Sequence, residues 1–252
     1  MNREEYERMY RIEDRHWWFL ARRDLLCRAL DVYPVSVSEE GVSRFLDVGC
    51  GTGGTMDRLV KRGVSVTGLD VEPLALELCR ERGHKRLALG DASALPFPAR
   101  TFDSVVALDV LEHVEADAAA CREMARVLVP GGVLFISVPA YQGLWSAHDI
   151  ALMHRRRYVA SEVRKLLEGV GGLKIERLTY VVTSLLPLVW LVRKTQSTLR
   201  PNAPPRADTG LPRFAVFNTL LRRIMAAEAR LALRSPFPFG LSIFVVARKT
   251  DD

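Results

Sequence analysis

The chain has 252 residues, a net charge of +6, 48% hydrophobic and 26% charged residues, and four cysteines. This composition fits a globular chain with a substantial core, and it excludes a disordered tail, a collagen-like repeat and a disulfide scaffold. Cys27, Cys50, Cys79 and Cys121 lack C-x-x-C pairing, which argues for reduced thiols and against a structural zinc site. The first residues, MNREEYERMY, are too polar for a secretory signal. The longest apolar run, 180–192, is interrupted by Pro187 and falls short of the ~20 residues that span a bilayer. A cytoplasmic protein is expected.

An N-terminal helical region is predicted over 3–32, carrying Tyr6, Met9, Tyr10 and the block His16-Trp17-Trp18-Phe19. From Arg44 strands and helices alternate. Strand 1 covers 44–48 and its helix ends at Gly63; strand 2 covers 65–69, and Pro73 opens a helix ending at Gly83. Strand 3 covers 86–89, strand 4 covers 104–108, and a helix covers 116–128. Pro130-Gly131-Gly132 turns into strand 5 at 133–138. Ser161 is expected to N-cap a helix reaching Glu168, before strand 6 at 173–181 and strand 7 at 241–247. Such alternation implies an α/β fold: a doubly wound, mostly parallel sheet of seven strands with helices on both faces. Its ligands belong at the carboxyl ends of the strands.

The segment 182–240 must return from strand 6 to strand 7. It reads as an apolar hairpin-like stretch, a proline-rich turn at 201–212 and a helix at 213–233. It is too long for a plain loop and is expected to form a substrate-binding cap. The single domain thus divides into a lid (1–40), a core (41–181 and 241–250) and a cap (182–240). Beyond residue 181 the only acids before the terminal pair are Asp208 and Glu228, against many arginines interleaved with Leu, Phe and Trp. That mixture suits an anionic membrane surface or an acidic ligand as well as it suits RNA.

The stretch 44–56, RFLDVGCGTGGTM, runs from a short strand through a glycine-rich turn into a helix start, where free N–H groups face a ligand. Gly49, Gly51 and Gly54 satisfy the dinucleotide pattern G-x-G-x-x-G, while Gly49, Gly51 and Gly53 behind Asp47 give G-x-G-x-G. Both nucleotide ligands remain open at this point. Asp70, ending strand 2, is placed to accept ribose hydroxyls in either case. After strand 3, Gly90-Asp91-Ala92 offers a carboxylate for an adenine amine and an N–H for a ring nitrogen.

The ordered set LDVGCGTG, Asp70, GDASALPFP, FDSVV…VLEHV and VLVPGG resembles the class I S-adenosylmethionine-dependent methyltransferases. The closest likeness, over 44–138, is to the broad group that includes ubiquinone and menaquinone biosynthesis enzymes. The resemblance implies S-adenosylmethionine as cofactor and a Rossmann-like fold whose reversed seventh strand lies beside strand 5. Asp47, Gly49, Gly51, Gly53 and Asp109 would surround the methionine part. Asp70 would hold the ribose and Asp91 and Ala92 the adenine, with Val71 and Val110 completing the cofactor set.

The flanks, HWWF before Arg22-Arg23 and S-x-H-D…H-R-R-R-Y after strand 5, are similar to methyltransferases often linked to glycan and lipid pathways. Trp17, Trp18 and Phe19 would form an apolar wall, and Arg22 or Arg23 would bind the methionine carboxylate. Where many of those relatives carry Gly before the later histidine, this chain has Met153. His148 or His154 is the expected general base, with Asp149 as orienter. His113, Tyr141, Trp145, Arg156, Arg157 and Tyr158 are the expected acceptor contacts, the two arginines holding a phosphate or carboxylate. The spacing of His148, Asp149 and His154 is not a helical i, i+4 pair, and no metal is expected.

The expected activity is O-methylation of a small-molecule or of a lipid- or glycan-linked acceptor, with peripheral contact to an anionic membrane. An RNA methyltransferase is the alternative enzyme, but no appended RNA-binding module or N-P-P-Y motif after strand 4 supports a nucleic-acid partner. A non-catalytic cofactor-binding subunit is the alternative outside enzymes. The oligomeric state is left open.

Overall fold

Continuous apolar runs such as Val133–Val138, written VLFISV, belong to strands buried on both faces. The computed structural model, which describes residues 3–35, 41–199 and 215–250, builds a seven-stranded sheet in the order β3-β2-β1-β4-β5-β7-β6. The strands are β1 (Arg44–Val48), β2 (Ser65–Asp70), β3 (Leu87–Leu89), β4 (Phe102–Leu108), β5 (Leu128–Pro139), β6 (Leu173–Val181) and β7 (Ser242–Lys249). β1 to β5 pair in parallel, while β7 lies antiparallel between β5 and β6. The expected reversed seventh strand is therefore present beside strand 5.

Alternation along the strands feeds two cores. Leu134, Ile136 and Val138 of β5, with Val105 and Ala107 of β4, face α5 (Asp117–Val127) and α7 (Ala160–Glu168). Val133 and Phe135, with Val106 and Leu108, face the other layer: α2 (Trp17–Val32), α3 (Gly54–Val60), α4 (Pro73–Glu81) and α9 (Ala215–Arg234). α1 (Arg3–Ile12) packs Tyr6 onto Ala75 and Leu78 of α4. The remaining helices are α6 (Ala147–Ala151) and α8 (Leu186–Leu199).

Several boundaries differ from the sequence expectation. β5 starts at Leu128, so Pro130-Gly131-Gly132 lies within the strand, where the β4 pairing shifts register between Phe102 and Ser104. α7 is capped at Val159, whose N–H donates to the Glu162 carboxylate at 2.9 Å; Ser161 is already inside the helix. The stretch after β6 expected to be hairpin-like is instead a short turn followed by α8. Pro187 fits there because the first helical turn has no use for its missing N–H. The Glu228 carboxylate of α9 accepts from the N–H groups of Thr183 and Ser184 at 2.8 and 2.9 Å, fixing the entry to α8. The proline-rich turn at 201–212 and the start of the predicted helix at 213 lie outside the described residues. Among the described residues, no helix is long and apolar enough to cross a membrane.

Candidate active site

At the carboxyl edge of the sheet a cavity of about 640 Å³ collects residues from β1, β2, β4 and their following turns, from α1 and α2, and from the loop after β5. The glycine turn is built for close approach. Gly49 has φ +65°, and a Cβ there would meet Val110 Cγ2 at 2.6 Å. Asp70 ends β2 and is nearly buried. It accepts from the N–H groups of Gly51 at 2.9 Å and Glu72 at 3.0 Å, and from the Tyr6 hydroxyl at 3.4 Å. Burial raises its carboxyl above the usual range despite those bonds.

Asp47 is different. It is buried, its Oδ2 has no hydrogen-bond partner, and burial pushes its carboxyl up to about 8. An orphaned buried carboxylate on a ligand cavity fits a cationic group of the ligand. At the far side, Asp91 accepts from the Ser93 N–H and hydroxyl, which hold its carboxyl below the usual range. It lines the cavity with Val71 and Ala92. A cradle of this form, with acids at Asp47, Asp70 and Asp91, fits S-adenosylmethionine.

α2 is tied to this cradle through charge. Arg22 of α2 donates to the Asp109 carboxylate and, at 3.4 Å, to the Leu108 carbonyl. Asp109 has φ +58° and also accepts from the Ser137 hydroxyl at 2.6 Å. Burial alone would raise its carboxyl, but Arg22 and Ser137 hold it below the ordinary value. Trp17, Trp18 and Phe19 line the cavity beside Arg22. Arg23 does not. It is buried against the Glu13 carbonyl and Asp14, away from any position where it could take the methionine carboxylate. Glu13, which the sequence reading passed over, accepts from the Thr52 hydroxyl and, at 2.8 Å, from Arg82, tying the α1–α2 junction to the glycine turn.

The other end of the cavity is lined by Glu112, His113, His148 and His154. His154 Nδ1 lies 2.9 Å from Asp149 Oδ1. Asp149 is fully buried and also accepts from Arg157 Nε at 2.7 Å and the Ser146 N–H at 2.9 Å. Burial would raise its carboxyl, but the bonds from His154 and Arg157 hold it far below the usual range. Burial and the neighbouring His154 push His113 down to about 4. The three histidine rings are in sequence, His113–His154 at 4.8 Å and His154–His148 at 6.1 Å. Met153 carries the left-handed φ of 58° that makes Gly natural at this position.

Of the other expected acceptor contacts, Tyr141, Trp145, Arg156 and Tyr158 lie outside the lining of this cavity. Arg156 pairs with Asp117 at 2.9 Å, and the Tyr158 hydroxyl bonds the Leu111 carbonyl and Asp117. Tyr141 stacks on Tyr180, while Trp145 follows the short turn at Gln142–Leu144. Arg157 lines the cavity, but its guanidinium is committed to Asp149 and the Ala140 carbonyl, so it positions the loop and does not offer an anion site. Gly53 serves as the left-handed N-cap of α3 and not as a wall residue. Asp149 sits behind His154. It also accepts from the Ser146 N–H in the capping box that starts α6.

A doubly wound sheet with a reversed last strand and an acid-lined glycine cradle defines a Rossmann-like, S-adenosylmethionine-binding methyltransferase class. Residues 46–136 match the family model described as a methyltransferase domain. A demethylmenaquinone methyltransferase of Tropheryma whipplei is 31% identical over 179 residues, covering 69% of this chain and 62% of the relative. A ubiquinone biosynthesis O-methyltransferase of Alkalilimnicola ehrlichii is 34% identical over 102 residues, 37% of this chain and 40% of the relative. The matches therefore span less than two thirds of either relative. Among solved structures, a Haemonchus contortus phosphoethanolamine N-methyltransferase bound to S-adenosylmethionine superposes with TM-score 0.55 at 18% identity, over 90% of this chain and 52% of that one. The [4+2]-cyclase SpnF superposes with TM-score 0.53 at 23% identity, over 88% and 80%. Residues 46–136 thus form a methyltransferase domain of the class I S-adenosylmethionine-dependent type, and the chain is similar to enzymes named for ubiquinone and menaquinone biosynthesis.

Proposed function

We propose that this protein transfers a methyl group from S-adenosylmethionine to an oxygen of a small hydroxylated acceptor. The observation that carries this reading is the continuity of one cavity from Asp70 and Asp91, past Asp47 and Gly49, to His113, His148 and His154. The cofactor, when bound, supplies a methyl group already activated on a sulfonium, so the chain's task is alignment, exclusion of water and removal of a proton. Asp47 and the glycine turn would hold the methionine end, Asp70 the ribose, and Asp91 with the Ala92 N–H the adenine. Trp17, Trp18 and Phe19 would keep water from the methyl path. The His148–His154 pair would take the acceptor's proton, with Asp149 fixing the His154 tautomer so that Nε2 faces the cavity.

The cavity wall holds eight acidic residues and four arginines, although the whole chain is basic. That sign favours a cationic cofactor and disfavours a phosphodiester chain. α8 adds Val189 and Arg193 to the wall and exposes Leu188, Trp190 and Leu191 beside them. This supports an acceptor with an apolar portion, and the names of the quinone-pathway relatives point the same way. The test is calorimetry with S-adenosylmethionine followed by transfer of labelled methyl to hydroquinone and phenol acceptors. Label recovered as a methyl ether supports the reading; cofactor binding without transfer to any hydroxylated acceptor overturns it.

A further inference from the structure

The turn that leaves β1 carries a thiol, and a second thiol meets it from α4. The Sγ atoms of Cys50 and Cys79 lie 3.9 Å apart, and both residues are buried. Two glycines clear the space that these sulfurs occupy. A Cβ at Gly68 of β2 would stand 3.0 Å from Cys50 Sγ, and one at Gly53 would stand 3.1 Å from Cys79 Sγ. Glycine weakens a strand interior, and at Gly68 it marks a close approach by the neighbouring layer.

The pair is joined to the glycine turn by hydrogen bonds. Cys79 Sγ donates to the Gly51 carbonyl at 3.3 Å, while the Gly51 N–H donates to Asp70 at 2.9 Å. The Cys50 N–H donates to the Leu69 carbonyl at 3.0 Å, which fixes its backbone against β2. Cys50 lines the cavity and Cys79 does not, so a small molecule entering the cavity meets Cys50 first. The bond with Cys79 and burial push the Cys50 thiol well above its ordinary range, so the pair rests reduced and reacts slowly.

We infer that Cys50 and Cys79 form an oxidative modification site, where hydrogen peroxide admitted to the cavity converts the two thiols to a disulfide that weakens the hold on S-adenosylmethionine. The inference rests on the cofactor reading of the glycine turn. Cys50 Sγ attacks one peroxide oxygen, the O–O bond breaks, and the thiol proton leaves with the other oxygen as water. Cys79 Sγ then attacks the sulfenic sulfur, forming the S–S bond and releasing the hydroxyl with the Cys79 proton as a second water. The peroxide is reduced and the two sulfurs are oxidised. Closure draws the sulfurs from 3.9 Å to ~2.05 Å, and Cys79 no longer donates to Gly51. Both changes fall on the turn at 49–53. Oxidation and cofactor binding are therefore reciprocal: if the disulfide form binds the cofactor ~10-fold more weakly, saturating cofactor raises the pair's reduction potential by ~30 mV.

The test treats the full chain with hydrogen peroxide, followed by intact mass, peptide mapping and calorimetry. The expected product has lost two hydrogens, carries a Cys50–Cys79 link with Cys121 still free, and binds S-adenosylmethionine ~10-fold more weakly until dithiothreitol restores the parent affinity. Cys79→Ser should form no link, whereas Cys121→Ser, on the opposite face of the sheet, should form it as the parent does. If Cys79→Ser fails to fold, as judged by circular dichroism, Cys50→Ala carries the same readout. Equilibration in dithiothreitol redox buffers, with and without S-adenosylmethionine, should show the ~30 mV rise. Cys50 and Cys79 left unlinked by peroxide, or a disulfide form that binds the cofactor as tightly as the dithiol, overturns the proposal. A link that forms in a parent chain without affinity for S-adenosylmethionine supports the thiol pair and overturns the cofactor reading.

Discussion

The Arg22 guanidinium of α2 hydrogen-bonds the Asp109 carboxylate just after β4, joining two segments 87 residues apart at the cavity wall. The bond both ties α2 to the end of β4 and compensates a carboxylate held in a strained left-handed turn. Arg22→Ala is therefore expected to cost ~1.5–3 kcal/mol of stability by leaving Asp109 unpaired. It should also weaken S-adenosylmethionine binding. Urea denaturation and calorimetry on the same samples check both effects, and an unchanged stability would mean that the pair contributes nothing.

The ribose contact is tested at Asp70. Replacing it with Ala removes an acceptor for ribose hydroxyls and for the Gly51 N–H together. S-adenosylmethionine affinity should drop by ~1.5–3 kcal/mol, while NADH should bind neither form. Tight NADH binding to the parent protein would contradict the cofactor assignment.

Asp47 sets a pH dependence. Its carboxyl titrates near 8 in the folded chain, against ~3.9 when unfolded, so the free protein loses stability as pH rises between those values. A cationic ligand group favours the ionised form, so cofactor binding near pH 7 should release a proton, and affinity should rise with pH up to about 8. Calorimetry in buffers of different ionisation enthalpy measures that proton. Asp47→Asn should abolish the release, raise the Tm of the free protein at pH 9, and weaken the cofactor by ~10-fold.

The acceptor end is tested by kinetics. His154→Ala should lower kcat by ~10²-fold or more with cofactor affinity nearly unchanged, and His148→Ala should follow the same pattern. Equal turnover in both variants and the parent would make these rings structural.

Met153 offers a stability test at no cost to the chemistry. Its side chain is 56% exposed while its backbone is left-handed. Met153→Gly should relieve up to ~1 kcal/mol of strain, seen as a higher denaturation midpoint with unchanged kcat.

Much of this protein was legible in the chain itself. The β1 and β6 boundaries follow from short-range signals, whereas the reversed β7 and the roles expected of Asp47, Asp70 and Asp91 came from the resemblance to a known family. Alternating burial, helix-opening prolines and a glycine turn are encoded within a few residues of one another. Helix starts were less secure: Ser161 looked like a cap, but the Glu162 carboxylate reaching back to Val159 decided the start of α7.

What the sequence by itself determined was the doubly wound sheet and the glycine turn after β1, because each depends on neighbours in the chain. Only the tertiary structure decided how the two ends of the cavity are equipped. Arg22 rather than Arg23 faces it because α2 turns Arg23 toward Glu13 and Asp14. Arg156 and Tyr158 leave it because Asp117, about forty residues earlier in the chain, captures both. Glu112 enters it because the turn after β4 buries its side chain beside a histidine 42 residues on. Such pairings depend on which long side chains meet which charges once the backbone has closed, and local sequence does not encode that meeting.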